Sequence, residues 1–169
     1  MANTYVKIAS VTVGAGGAAS MDFNSIPGTY EDLVLKVSSR STNSSDNDYP
    51  KIEFNGSAAN QTLRYLQGNG SAASSSTDTL IYGVSAADTT TASTFGNLEF
   101  YVPNYAGSTN KSVSIDSVNE KNATAIVMLL AAGLWSQTAA ITSITLKPYN
   151  AGANFMQYST AVLYGIKKS

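Results

Sequence analysis

Histidine and cysteine are both absent from the 169 residues, and only 12% of the residues are charged. Histidine is the side chain whose ordinary pKa lies closest to neutral pH, so general acid–base catalysis uses it most often. Cysteine supplies thiolate nucleophiles, zinc ligands and disulfides. The composition therefore excludes Ser-His-Asp and Cys-His catalytic sites, haem held by His or Cys, and an ordinary structural zinc site. We expect a protein that is not an enzyme and binds no cofactor.

Concentrated positive charge is also missing. The formal net charge is -1, and the longest basic run is Lys167-Lys168, whereas nucleic-acid binding normally needs a clustered basic face. The longest apolar stretch, residues 125–134, is shorter than the ~20 residues of a membrane-spanning helix. We therefore expect neither nucleic acid nor membrane as a partner. Ten Tyr and five Phe with a small net charge indicate a folded chain, and the length suits a single domain over residues 1–169.

Alternation of apolar and polar residues is the main structural signal. Leu33, Leu35 and Val37 share one face of residues 32–38, and this period of two predicts a half-buried strand. Residues 125–132 are all apolar, which fits either a helix or a strand. Because the β-branched Ile126 and Val127 begin the run, we expect a strand that is buried on both faces. Residues 1–10 form either a first strand or an N-terminal arm that pairs with a neighbour. The other predicted strands are 21–23, 51–54, 62–66, 79–82, 97–102, 112–116, 143–147 and 160–166.

Turn-forming Gly and Asn residues separate these segments, and long polar loops are expected at residues 38–48, 67–78 and 86–94. About ten short strands without a convincing amphipathic helix predict an all-β fold, an antiparallel β-sandwich. A jelly roll is the specific form that we expect.

Few side chains suggest a metal site. Asp46 and Asp48 could begin a calcium loop, but the EF-hand pattern then requires Gly at its sixth position and Glu at its twelfth. Lys51 and Ser57 occupy those positions, so the motif fails. An irregular cation site at the two aspartates and a solvated polar loop remain as alternatives.

Two further kinds of site are open. Paired carboxylates could hydrolyse a glycosidic bond, although no spacing selects a pair among the acidic residues on or beside predicted strands. Aromatic rings could contact a ligand such as a glycan, or could pack in the core or at a subunit interface. The acidic residues are Asp22, Glu31, Asp32, Glu53, Glu99, Asp116 and Glu120. The interface or ligand candidates among the aromatic residues are Tyr49, Tyr65, Tyr101, Tyr105 and Trp135.

Several phrases along the chain resemble small structural proteins of tailed bacteriophages, in particular those of cyanophage-like viruses. These phrases are SIPGTYEDLVL (25–35), YLQGNG (65–70), FGNLEFYVPNY (95–105), GLWS (133–136), AITSITL (140–146) and LYGIK (163–167). The resemblance covers most of the chain, and its phrases are structural rather than catalytic.

The resemblance implies a virion protein with a jelly-roll-like domain, often a homotrimer. One implied role is a capsid decoration (cement) protein on the outer capsid surface, whose partners are copies of itself and the major capsid protein. The other is a receptor- or carbohydrate-binding module of a tail or head fibre, with host surface glycans as partners. Because a receptor-binding tip usually belongs to a longer chain, we expect decoration.

Overall fold

The computed structural model describes residues 4–122 and 126–167. These residues contain thirteen β-strands and no helix. The strands are β1 (Tyr5–Thr12), β2 (Met21–Phe23), β3 (Asp32–Ser39), β4 (Asn47–Asp48), β5 (Lys51–Phe54), β6 (Gln61–Gly68), β7 (Ala73–Asp78), β8 (Ser85–Ala86), β9 (Gly96–Val102), β10 (Lys111–Asn119), β11 (Val127–Trp135), β12 (Ile144–Lys147) and β13 (Thr160–Ile166).

Eight of the strands form one large sheet in the order β1-β13-β3-β9-β10-β11-β6-β7. Three others form a second sheet in the order β2-β12-β5, and β4 pairs with β8. Every pairing between these strands is antiparallel. Strands β9, β10 and β11 are consecutive both in the chain and in the sheet, so they form a meander at its centre.

The core lies between the two larger sheets. Alternate residues of each strand point to opposite faces, and the apolar ones of the large sheet, such as Leu35 and Phe100, meet Phe23, Phe54 and Leu146 of the small sheet in one cluster of buried side chains. The predicted all-β antiparallel sandwich is therefore confirmed. A division into eight and three strands does not identify a jelly roll specifically, and that finer assignment stays a prediction.

Two local predictions need correction, and one pair of alternatives is resolved. The segment 67–78 was expected to be a loop, but it contains β7, because an exposed edge strand of Ser and Thr shows no apolar alternation. The strand expected at 79–82 is absent, and Tyr82 makes only an isolated bridge to Lys51. Residues 5–12 pair with β13 of their own chain, so they form a first strand and not an arm.

The apolar segment near residue 130 is a strand, as expected, but it is not buried on both faces. In β11 every second residue is buried and the others are exposed. Ala125 lies outside the described residues, and the strand begins at Val127. The small sheet covers one face of the large sheet and leaves the other face of β11 uncovered.

Candidate functional site

The uncovered face of the large sheet is divided by chemistry. Its outward-facing apolar residues form what we term the apolar half of the face, on β11 with its neighbours β6 and β10. Leu66 and Leu130 are each 61% exposed, Met128 is 51% exposed, and Val118 and Leu134 are each 38% exposed. The apolar half consists of Leu66, Val118, Met128, Leu130, Ala132 and Leu134. Large apolar side chains that cluster in this way on a surface commonly mark an interaction site.

Strand register sets the layout of the apolar half. Leu130 lies directly opposite Leu66 of β6 on one side and Asp116 of β10 on the other. Met128 lies opposite Gly68, and the position of a Cβ at Gly68 is 3.9 Å from the Met128 methyl carbon. The groove between β11, β6 and β7 has a volume of about 550 Å³, and Arg64 and Ser75 line it together with the two leucines.

The part of the same face next to it, which we term the polar half, carries charged and hydrogen-bonding side chains on β3, β9 and β10. Lys36 Nζ and Glu99 Oε2 are 2.6 Å apart, and the hydrogen bond that Lys36 donates to Glu99 raises the pKa of Lys36. Tyr101 donates to Asp32 Oδ2 at 2.8 Å, and this bond raises the pKa of Tyr101. These pairs satisfy each other in solvent, so the polar half needs no covering partner.

Two of the seven candidate carboxylates are brought together on the polar half. Glu99 and Asp116 are directly opposite each other in the pairing of β9 with β10. They line a small cleft of about 190 Å³ together with Lys36, whose ammonium is bound to Glu99. Glu53 is likewise paired, with Lys147 at 2.9 Å. Among the seven candidates, Glu99 and Asp116 are therefore an adjacent pair of carboxylates, and the ammonium of Lys36 is bound to Glu99.

Two candidate aromatic residues belong to a cluster of four tyrosines. The ring of Tyr82 lies 5.6 Å from that of Tyr49, 5.6 Å from that of Tyr149 and 6.0 Å from that of Tyr65. Burial raises the pKa of Tyr82 far above its ordinary value, and the neighbouring Tyr65 hydroxyl and Asp78 carboxylate add to this. Burial also raises the pKa of Tyr49 and of Tyr149.

A polar groove of about 450 Å³ lies beside two of these rings. Its walls combine aromatic surface with amide, hydroxyl and carboxylate groups, which can donate and accept hydrogen bonds. The groove is lined by Asn43, Ser44, Ser45, Asn47, Asp48, Tyr49, Tyr149 and Asn150.

The other aromatic candidates do not face a groove. Trp135 is buried against Phe54, with ring centroids 5.4 Å apart. Tyr105 is fully buried, and its hydroxyl donates to the carbonyl oxygen of Pro27. Both rings therefore lie in the core, which is the alternative that the sequence left open for them, and neither is accessible to a ligand. Tyr101 is half-buried on the polar half.

The structure separates the two aspartates that suggested a cation site. Asp46 is exposed and binds Lys121 Nζ at 2.7 Å, and hydrogen bonds from Lys121 and Thr89 lower the pKa of Asp46. Asp48 is buried, and its Oδ1 accepts the amides of Tyr49 and Tyr149 at 2.9 and 3.2 Å. Within residues 4–122 and 126–167 no three acidic side chains are grouped so as to hold a metal ion.

The loop after β8 is organised by one buried cation. Arg40 is 6% exposed, and its guanidinium donates to Thr90 Oγ1 and to the carbonyl oxygens of Asp88, Thr90, Thr91 and Thr94 at 2.7–3.2 Å. The loop expected at 86–94 is thus held in a defined shape.

Sequence reasoning did not single out the apolar half. The available signal was the run of residues 126–134, which has no charged side chain. Alternate residues of a strand point to opposite faces. A strand made of apolar residues therefore either exposes one set of them to solvent or has that set covered by another layer of the structure. The choice depends on whether another element of the chain covers the strand, and that is a tertiary property.

No protein-family model, curated protein or solved structure matches the chain. The phage resemblance therefore stays a prediction. In the described part of the chain no helix is long and apolar enough to cross a membrane.

Proposed function

We propose that the protein is a non-catalytic structural subunit of a bacteriophage virion. In this proposal it decorates the outer capsid surface by binding copies of itself and the major capsid protein. The observation that carries the proposal is the apolar half of the large sheet, which exposes five large hydrophobic side chains. The setting in a virion rests on the sequence resemblance.

The energetics favour a covered face. Full burial of one large aliphatic side chain stabilises by about 1.5–3 kcal/mol. Since the five side chains are 38–61% exposed, covering them stabilises by roughly 1 kcal/mol each. This gain of about 5 kcal/mol per copy is lost whenever the face meets water.

Capsid binding tests the proposal. Capsids of the encoding phage, purified without this protein, should bind the added wild-type chain evenly over their surface, as seen by electron microscopy with immunogold. Leu130→Glu should weaken binding, whether the face meets the shell or another copy, because it places a charge at the centre of the apolar half. Ser38→Glu is the matched control, since Ser38 is exposed on the polar half. Absence of the protein from purified virions by mass spectrometry would overturn the proposal.

A second candidate function is a carbohydrate-binding module of a fibre. The specific observation in its favour is the polar groove beside Tyr49 and Tyr149, because aromatic rings contact the apolar faces of sugars while amides and hydroxyls bond their hydroxyl groups. A glycan array with wild type and Tyr149→Ala tests this function. Glycan binding that Tyr149→Ala abolishes and that Ser38→Glu preserves would support the carbohydrate-binding function. An array on which no glycan binds would refute it.

A further inference from the structure

The apolar half of the face is complementary to itself. Four rows of outward-facing residues cross β11 and β6. In two of them a large residue lies opposite a small one, with Met128 opposite Gly68 and Arg64 opposite Ala132. In the other two, Leu130 is opposite Leu66 and Leu134 is opposite Thr62. The surface therefore has a projection beside a recess in two rows, on either side of a pair of leucines.

We propose that a second copy of this chain covers the apolar half about a two-fold axis. This inference rests on the proposed function, whose self-association it makes specific. The axis runs parallel to the strands, midway between β11 and β6, so that β11 of each copy lies over β6 of the other. Leu130 of one copy then meets Leu66 of the other, and the same contact occurs twice, as an isologous interface requires.

The row of Met128 also matches under this symmetry. Met128 of each copy lies over Gly68 of the other, which has no side chain, beside the methyl group of that copy's own Met128. Val118 lies over Ala73, because β10 of one copy covers β7 of the other, and the register joins Val118, Met128, Gly68 and Ala73 in one row. Large side chains thus fill recesses across the interface, as close packing requires.

Charge complementarity points the same way. Arg64 is the only cation, and Asp116 the only carboxylate, among the outward-facing residues of β10, β11 and β6. With strands about 4.8 Å apart and alternate residues about 6.8 Å apart along a strand, Arg64 of one copy and Asp116 of the other are offset by roughly 8 Å in the plane of the sheets. A long arginine side chain spans this offset, so two reciprocal ion pairs close the rim.

The dimensions suit a stable dimer. The nine residues of β11 extend over about 30 Å, and the four strands β10, β11, β6 and β7 cover about 19 Å across, which gives a flat area of about 570 Å². Side-chain relief increases the accessible area toward the roughly 800 Å² per partner of a standard interface. Aligned sheets pack about 10 Å apart, which leaves room for one layer of interdigitated side chains.

The homotrimer that the resemblance implies fits this face less well. A ring of three copies uses a heterologous contact, in which two different patches meet. Outside the apolar half, the large exposed hydrophobic residues of the described chain are Tyr5, on β1, and Tyr158, in the turn before β13. Neither forms a second patch of comparable size, so the apolar half finds its complement in its own counterpart.

A charge exchange between copies tests the two-fold contact directly. Leu130→Glu and Leu66→Lys should each be monomeric in sedimentation equilibrium, with dimerisation at least about tenfold weaker than in wild type, because each places two unpaired charges in the interface. An equimolar mixture of the two variants should restore a dimer. In that heterodimer the introduced glutamate faces the introduced lysine, and the remaining Leu66 faces the remaining Leu130.

Controls and outcomes separate the possibilities. Circular dichroism and thermal unfolding check that both variants fold, and Ser38→Glu should dimerise like wild type. A monomeric or trimeric wild type, or a mixture that stays monomeric, would overturn the two-fold contact. A monomer that still coats capsids in a Leu130-dependent manner would assign the face to the shell protein and leave the proposed function standing. A dimer that is absent from virions would leave the contact standing and remove the function.

Discussion

Arg40 offers the sharpest test of how the fold is held together. Its guanidinium is buried without a carboxylate partner and instead binds a ring of carbonyl oxygens from residues 88–94. We predict that Arg40→Met lowers the free energy of unfolding by about 2–4 kcal/mol. Methionine keeps most of the aliphatic stem, so the change removes the guanidinium, with its charge and its hydrogen bonds, and little else.

The magnitude follows from the burial of each acceptor. Two of the five bonds, to Thr90 Oγ1 and to the Thr90 carbonyl oxygen, are buried. A buried acceptor left without a partner costs about 1–3 kcal/mol, and the Thr90 hydroxyl keeps its bond to the Ala87 carbonyl oxygen. The three bonds to Asp88, Thr91 and Thr94 are partly buried, so water can replace the guanidinium there. Removing the guanidinium also removes the cost of burying its charge, so the expected decrease in the free energy of unfolding lies near the lower end of the sum.

Urea denaturation measures the effect, with the fluorescence of the buried Trp135 as the probe. Lys36→Met is the control, because Lys36 forms an exposed ion pair and such pairs contribute less than about 1 kcal/mol. Hydrogen exchange should also show faster amide exchange in residues 87–94 of Arg40→Met. An Arg40→Met protein within 0.5 kcal/mol of wild type, on the scale of ordinary surface changes, would refute the assignment of Arg40 as the organiser of this loop.

Three other predictions concern single sites. Tyr158 has a φ of 73° at the third position of a turn closed by the Ser159 amide and the Met156 carbonyl oxygen. Tyr158→Gly should therefore raise the free energy of unfolding by about 0.5–1 kcal/mol in urea titrations. An unchanged or lower value would contradict backbone strain at this position. A Cβ at Gly165 would overlap the ring of Tyr30, whereas one at Gly14 meets nothing within 4 Å. Thermal unfolding should therefore show Gly165→Ala destabilised by about 1–3 kcal/mol and Gly14→Ala nearly unchanged, and equal effects would contradict this packing. Folding raises the pKa values of Tyr49, Tyr82 and Tyr149. These tyrosines therefore stabilise the fold at pH values below the ordinary tyrosine pKa of 10.0, and this contribution is lost as the pH rises above that value. Absorbance at alkaline pH should show that these tyrosines ionise together with unfolding, and Tyr82→Phe should weaken the pH dependence; ionisation of all tyrosines near pH 10 in a folded chain would contradict the burial.

Local alternation made most of the fold predictable from the sequence. Strands with apolar residues on one face, such as β3 and β9, were placed within a residue or two because their pattern has a period of two. Strand β7 was missed because its six residues are almost all exposed, so burial leaves no pattern in them. The pairing of distant segments, such as β1 with β13, depends on the whole chain and has no local signal.

The candidate site was predictable only in part, for the same reason. Tyr49 and Tyr65 were identified as candidates, but their association with Tyr82 and Tyr149 depends on contacts between elements far apart in sequence. Trp135 was an equally good aromatic candidate in the sequence, yet it faces the core because it lies on the inward side of β11. Residue type suggested which side chains could bind, and only the fold determined which of them reach the surface.

The contrast between the two halves of one sheet face is the strongest argument for an assembly role. Both halves belong to the same large sheet, and both are left uncovered by the small sheet. Lys36 and Glu99 are the kind of pair that a solvent-facing sheet carries to remain soluble, whereas Met128, Leu130 and Leu134 would each be replaceable by a polar residue at no cost to the core. A protein that functions as an isolated monomer gains nothing from three exposed large hydrophobic residues on one face of a single interior strand. The division therefore favours the proposal that a partner buries the apolar half, and the charge exchange between Leu130 and Leu66 determines whether that partner is a second copy.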